Sequence, residues 1–385
     1  MSKSESEYFK SDEVAKRDPS DHFEHERAAA YGDMRPVNVL IAGPTGAGKS
    51  TLINAVLRKP VAKTGKGRPV TQDIEAWAVE GVPITVYDTP GLELDQKISD
   101  AAKRTVKFLK KQQKRPPEEQ IHVFWYCSLS HGSRFLDVEA GFIESVAKLV
   151  PGIVVLTQCL GPEDEEALEF GAEVRALLEE HDAQVSPVSP LLTLAQERRI
   201  GGHAIAPFGL TELVSATYDL LPEEVRGAFI NAQGVDLGLK RREAHKVVAQ
   251  HTAVAASIGA VPIPIPDAGP LLALQVTMLA RITAAMGVEF DEQTRRFLVR
   301  GVLGTGALVQ IGRQAASMLL KAIPGLGSAI NATVAGAITA ALGEAYIALC
   351  TEFLKRSAAG QGMLDTEMLE FLVDQFKTNY KRQGK

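Results

Sequence analysis

The sequence predicts an α/β doubly wound, mostly parallel sheet over residues 36–222, followed by an all-α helical domain over residues 223–385. Three observations predict it. Short apolar runs (VNVLIAG, ITVYDTPG, IHVFWYC, GIVVLTQ) alternate with charged stretches of helical length, the pattern of buried parallel strands joined by crossover helices. The alternation fades after Leu221, and the remainder of the chain is Ala, Gly, Leu, Ile and Val at helical spacing without a credible strand. A glycine-rich turn running from Gly43 to Thr51 joins the first apolar run to the helical pattern TLINAVL.

A chain of 385 residues is long for one domain, and 45% hydrophobic with 23% charged residues is ordinary globular composition. The formal net charge of -5 provides no chain-wide field for polyanions, so no nucleic acid partner is expected and any contact with anionic lipid must be local. Cys127, Cys159 and Cys350 are far apart without a CxxC pair, which reads as buried thiols in a reducing, cytoplasmic setting. Residues 1–35 are polar, lack the apolar core of a secretory leader, and end in turn chemistry at Tyr31, Gly32, Asp33 and Pro36. They read as a polar N-terminal tail or a loosely docked helix.

The segment Gly43-Pro44-Thr45-Gly46-Ala47-Gly48-Lys49-Ser50-Thr51 is G-x-x-x-x-G-K-S between a strand and a helix, the context that gives this motif its meaning. Glycines let successive N–H groups curl around phosphate oxygens without Cβ clashes, at a helix N-terminus that already favours anions. Lys49 is placed to bridge the β and γ phosphates, and Ser50 to ligate Mg²⁺. Asp88 closes the strand ITVY within Asp88-Thr89-Pro90-Gly91, where an acidic residue can hold Mg²⁺ through water. Gly91 there lets its N–H approach a γ-phosphate.

GPTGAGKST, PVTQ and YDTPGLE resemble the translation-factor-like P-loop GTPases, specifically their Era/TrmE/septin-like branch, over roughly residues 36–222. The resemblance implies GTP and GDP as bound nucleotides, Mg²⁺ as cofactor, and catalytic contributions from Lys49, Thr71 and Gly91. Thr71 resembles the threonine that closes on Mg²⁺, with Thr64 as the fallback; the metal set is then Ser50, Thr71 and Asp88. Leu92 stands where many members place the glutamine that orients water, so slow hydrolysis is expected. Gly46 cannot supply the side chain by which some relatives hold potassium, while Arg68 and Arg134 are candidate arginines in cis or across a dimer.

The base-reading N/T-K-x-D motif is represented by Thr157-Gln158-Cys159-Leu160, in which only Thr157 fits; Asp164 reads as a helix start, and Ser189 in VSPVSP lies where a base-contacting loop is expected. Guanine is preferred over adenine on the DTPG loop and the domain order, with the base left open by Gln158 and Leu160.

The uncharged run from Ala322 to Gly343 is long enough to span a bilayer, which takes about 20 residues. It opens on proline and glycine, leans on alanine, and repeats Ile330, Val334, Ile338 and Leu342 as one stripe, which favours a soluble bundle. Residues 245–355 resemble the uncharacterised helical domain of YcjF-type bacterial GTPases, some of which are membrane-associated. The segment KRTVKFLKKQQKR reads as a helix with a solvated basic face. The expected activity is a GTPase switch coupled to the helical domain, acting on an unidentified protein effector. Self-association through either domain, a peripheral place at the inner membrane, and a scaffold role with little turnover stay open.

Overall fold

The computed structural model describes residues 18–60, 68–69, 74–78, 80–89, 95–131, 134–259, 263–264, 269–303, 329–330, 332–363 and 365–383. Thr64, Thr71, Gly91 and Leu92 lie outside these described residues, and so does the side chain of Arg68. The chain divides into two compact units, residues 34–236 and residues 1–33 together with 237–385.

Helix α1 (Pro19–Gly32) opens the described chain; its N-cap Asp18 accepts from Ser20 N, and Pro19 takes the first turn, where a missing N–H costs nothing. The sheet unit then runs β1 (Val37–Ala42), α2 (Lys49–Val56), β2 (Arg68–Pro69), β3 (Glu75–Ala78), β4 (Ile84–Asp88), α3 (Asp95–Gln112), β5 (Val123–Leu129), α4 (Asp137–Ala147), β6 (Gly152–Thr157), α5 (Glu165–Glu180) and β7 (Leu191–Leu192). A hairpin of β8 (Arg198–Ile200) and β9 (His203–Ile205) comes next, then α6 (Leu210–Leu220) and α7 (Glu223–Ala232). The sheet order is β2-β3-β4-β1-β5-β6-β7, antiparallel only at β2 and β3, so the mostly parallel fold expected from the apolar runs is present. β1 is central and buried at all six positions. α3, α4 and α5 cover one face over Phe124, Tyr126, Phe142, Val154 and Leu156. On α3, Ala101, Thr105, Phe108, Leu109 and Gln112 turn inward while its lysines face solvent, as the sequence suggested.

The sheet unit ends after Asp236, later than the boundary expected at residues 222–223. Pro222 starts a helix, but that helix belongs to the sheet: α7 packs on β1 and β4, Arg58 N donates to Ala232 O (3.0 Å), and Gly234 N donates to Val56 O (2.8 Å). Arg58 also grips Asn231 O (3.1 Å) and Gly81 O (2.7 Å) through its guanidinium.

The helical unit comprises α1, α8 (Leu237–Ile258), the two-residue strand β10 (Ile263–Pro264), α9 (Gly269–Met286), α10 (Glu292–Leu303), strand β11 (Ala329–Ile330), α11 (Ala332–Ala358) and α12 (Asp365–Gln383). The short antiparallel pairing of β10 with β11 departs from the strand-free expectation. Residues 19–32 are no loose tail: Phe23 is 1% exposed in a core with Val248, Met278, Leu279, Tyr346 and Phe376. His22 Nε2 shares a hydrogen bond with Thr277 Oγ1 (3.1 Å), and Glu24 pairs with Arg295. A Cβ on Gly343 would meet Val248 Cγ2 at 2.5 Å, so the small residue sets the close approach of α8 and α11. α9 and α11 are long and apolar enough to cross a membrane, yet 72% and 61% of their apolar windows are buried inside the unit.

Candidate nucleotide site

Open α/β sheets gather ligands at the carboxyl ends of their strands, beside the point where strand order reverses. β1 is that point, with β4 on one side and β5 on the other. The loop from Gly43 to Gly48 leaves β1 there and enters α2 at Lys49. Gly43 has φ 138°, and a Cβ on it would lie 2.1 Å from Cys127 O of β5, so only glycine lets the loop cross that strand. Gly46 and Gly48, at φ 82° and 75°, complete the turn that aims the backbone toward the helix N-terminus.

Lys49 Nζ donates to the carbonyls of Gly43 (2.8 Å) and Pro44 (3.1 Å), which folds its charge over the loop. Ser50 and Thr51 stand in the first turn of α2, with Ser50 exposed. Asp88 is paired in register with Ile41, and Thr89 N donates to Ile41 O (3.1 Å), so the β4 carboxylate arrives level with the loop's origin. Its Oδ1 is buried without a hydrogen-bond partner among the described residues. Burial, partly offset by nearby Lys49 and reinforced by Glu75, pushes the Asp88 carboxyl from 3.8 up to about 6. An unpartnered buried carboxylate oxygen beside a helix-start hydroxyl fits a hard divalent cation whose other ligands are phosphate oxygens and water. Among the described residues no three His, Cys, Asp or Glu side chains gather as a metal site, so Ser50 and Asp88 would hold Mg²⁺ only together with nucleotide.

Because the folded state binds the Asp88 proton more tightly than the unfolded chain, the contribution of Asp88 to nucleotide-free stability falls as pH rises from about 4 to about 6 and is level above. Asp88→Asn is expected to remove that slope and stabilise the nucleotide-free protein at pH 7.5 by on the order of 2 kcal/mol. Thermal melts of both proteins from pH 4 to 8 with chelator present check it; parallel curves would contradict it.

Thr157, at the end of β6, supports the loop: its Oγ1 donates to Ala47 O (2.8 Å), with Ser128 O (3.2 Å) as a second acceptor. Gln158, at φ 60°, reaches Gly46 O with Nε2 (3.3 Å), so its amide bonds the loop backbone. Asp164 offers no base-reading carboxylate. It caps α5 by accepting from Ala167 N (3.2 Å) and Leu160 N (2.7 Å), and His131 lies against it (3.1 Å). Burial raises its pKa, but those two N–H groups and His131 outweigh it and hold the carboxyl below its ordinary value.

Ser189 sits elsewhere than the sequence suggested. Its Oγ accepts from Val154 N (3.1 Å), in the middle of β6 and away from the carboxyl end where the loop lies, because β7 begins only at Leu191. The residue at the carboxyl end of β7 is Thr193, whose N–H donates to Leu156 O (2.8 Å) and whose carbonyl accepts from Cys159 N (3.1 Å). Arg198 Nη1 reaches Gln158 O (3.4 Å) from the hairpin beyond β7. The apolar run LLTL was the signal for this wall. All three cysteines are buried, and burial pushes the Cys127 thiol under the loop up to about 12, an unreactive group.

Residues 38–127 match the family model described as 50S ribosome-binding GTPase. Neuronal-specific septin-3 of Danio rerio is 29% identical over 171 residues, covering 37% of this chain and 46% of that protein. GTPase Der of Bartonella tribocorum is 35% identical over 77 residues, covering 20% of this chain and 16% of its own length. Among solved structures, a septin GTPase domain from Chlamydomonas reinhardtii is 18% identical at a TM-score of 0.31, covering 50% of this chain and 90% of that one. This chain spans less than half the length of the curated relatives named here.

Proposed function

We propose that this chain, whose residues 34–236 fold as a P-loop GTPase domain, binds GTP with Mg²⁺, hydrolyses it slowly, and relays the nucleotide state to its helical unit. The observation that carries the reading is Asp88, a half-buried carboxylate near Lys49 whose buried Oδ1 has no hydrogen-bond partner among the described residues. The loop N–H groups and Lys49 bind phosphate, Thr157 holds the loop in shape, and Ser50 with Asp88 orients the cation, which when bound neutralises charge on the transferring phosphoryl group. Leu92 in place of a water-orienting glutamine supports slow turnover. The resemblance of residues 245–355 to the YcjF-type domain supports reading the helical unit as the output element, with a protein effector and a cytoplasmic location, peripheral at the inner membrane.

Titrating GTP, GDP and ATP in the presence of Mg²⁺ tests the base. GTP binding at least about tenfold tighter than ATP is expected, a difference of about 1.4 kcal/mol. Equal or tighter ATP binding would overturn the guanine assignment, since Leu160 supplies no carboxylate and Asp164 is committed to its cap.

A further inference from the structure

α3, α4 and α5 lie side by side on the sheet, and the outer faces of this layer carry opposite charges. On α3, Lys107, Lys110 and Lys111 are exposed at i, i+3 and i+4, Lys114 is exposed two residues past the helix end, and none of the four has an acid within 4.0 Å among the described residues. Beside them a cleft of about 670 Å³ opens between α3 and α4, lined by Val106, Phe142 and Leu149, by Lys103 and Lys110, and by the Asp137–His181 pair. On α5, Glu165, Glu169, Glu173 and Glu180 are exposed along one stripe, with Leu168 standing 49% exposed beside them. On the same helix Arg175 is turned to Pro187 O (3.4 Å).

We infer that this chain associates with a second copy of itself, the acidic face of α5 in one copy seated in the α3/α4 cleft of the other. Leu168 finds an apolar floor in the cleft, and the surrounding charges set register and orientation. A two-fold contact through either face alone would put like charges together. The two faces lie side by side on one layer, so a reciprocal two-fold contact can seat α5 of each copy in the cleft of the other. The inference does not depend on the nucleotide assignment.

Sedimentation velocity of the full chain tests it. The weight-average mass is expected to rise with protein concentration in about 50 mM salt and to return to monomer near 1 M, where screening shortens to about 3 Å. Lys107→Glu with Lys110→Glu, and separately Glu169→Lys with Glu173→Lys, should each weaken association at least about tenfold. An equimolar mixture of the two variants should recover it, because each reversed face then meets its opposite. A wild type that stays monomeric at low salt, association that survives either reversal, or a mixture that fails to recover would each overturn the inference. Unchanged melting midpoints of the variants separate loss of the interface from loss of the fold.

Discussion

Lys49→Ala is expected to weaken GTP binding at least about a hundredfold, close to 3 kcal/mol, while the protein stays folded. The affinity term is large because the ammonium makes charge-assisted bonds to phosphate oxygens beside a buried strand end, where a hydrogen bond to a charged group contributes roughly 1.5–3 kcal/mol. The stability term is small because the Nζ contacts are to two loop carbonyls, those of Gly43 and Pro44, in a partly buried position. Losing them costs about 1 kcal/mol. Isothermal titration with GTP and a thermal melt on the same preparation separate the two. Unchanged affinity with an unchanged melt would remove Lys49 from the phosphate site and with it the reading of the loop.

The loop was legible in the sequence because its motif is contiguous and the strand before it and the helix after it are written in uninterrupted apolar patterns. Its distant supports, Cys127 O against Gly43 and Thr157 Oγ1 on Ala47 O, were not needed to read it. Asp88 was legible for a similar reason, since its strand ends where the apolar run ends. Two other assignments depended on contacts far apart in the chain and were not legible. β7 has only two residues, too few for a periodic signal, so VSPVSP looked like the base loop while Ser189 in fact closes a hydrogen bond to Val154 of β6. The domain border was misplaced because Pro222 marks the start of a helix in any context; that the helix returns to β1 is decided by Asn231 and Ala232 meeting Arg58.

Helix α1 is the strongest case of such long-range dependence, and it supports the second large prediction. Phe23→Ala is expected to destabilise the helical unit by about 3–5 kcal/mol, the cost of deleting a large aromatic from a closed core. Domain stabilities of about 5–15 kcal/mol make that a substantial share. The loss should be confined to one unit. Amide exchange should accelerate across 237–259, 269–303 and 332–383, with protection in 34–60 and 121–157 retained, because Phe23 packs on Met278 and Val276 and belongs to the core of the helical unit. Equal protection in all segments would show that α1 adds nothing to that core. The amphipathic signal of α1 is weak because only Ser20, His22 and Phe23 are buried, and the partner that His22 meets lies more than two hundred residues later in the chain. A chain begun at residue 34 keeps the whole nucleotide site but removes this helix, so its helical unit should be less stable than that of Phe23→Ala.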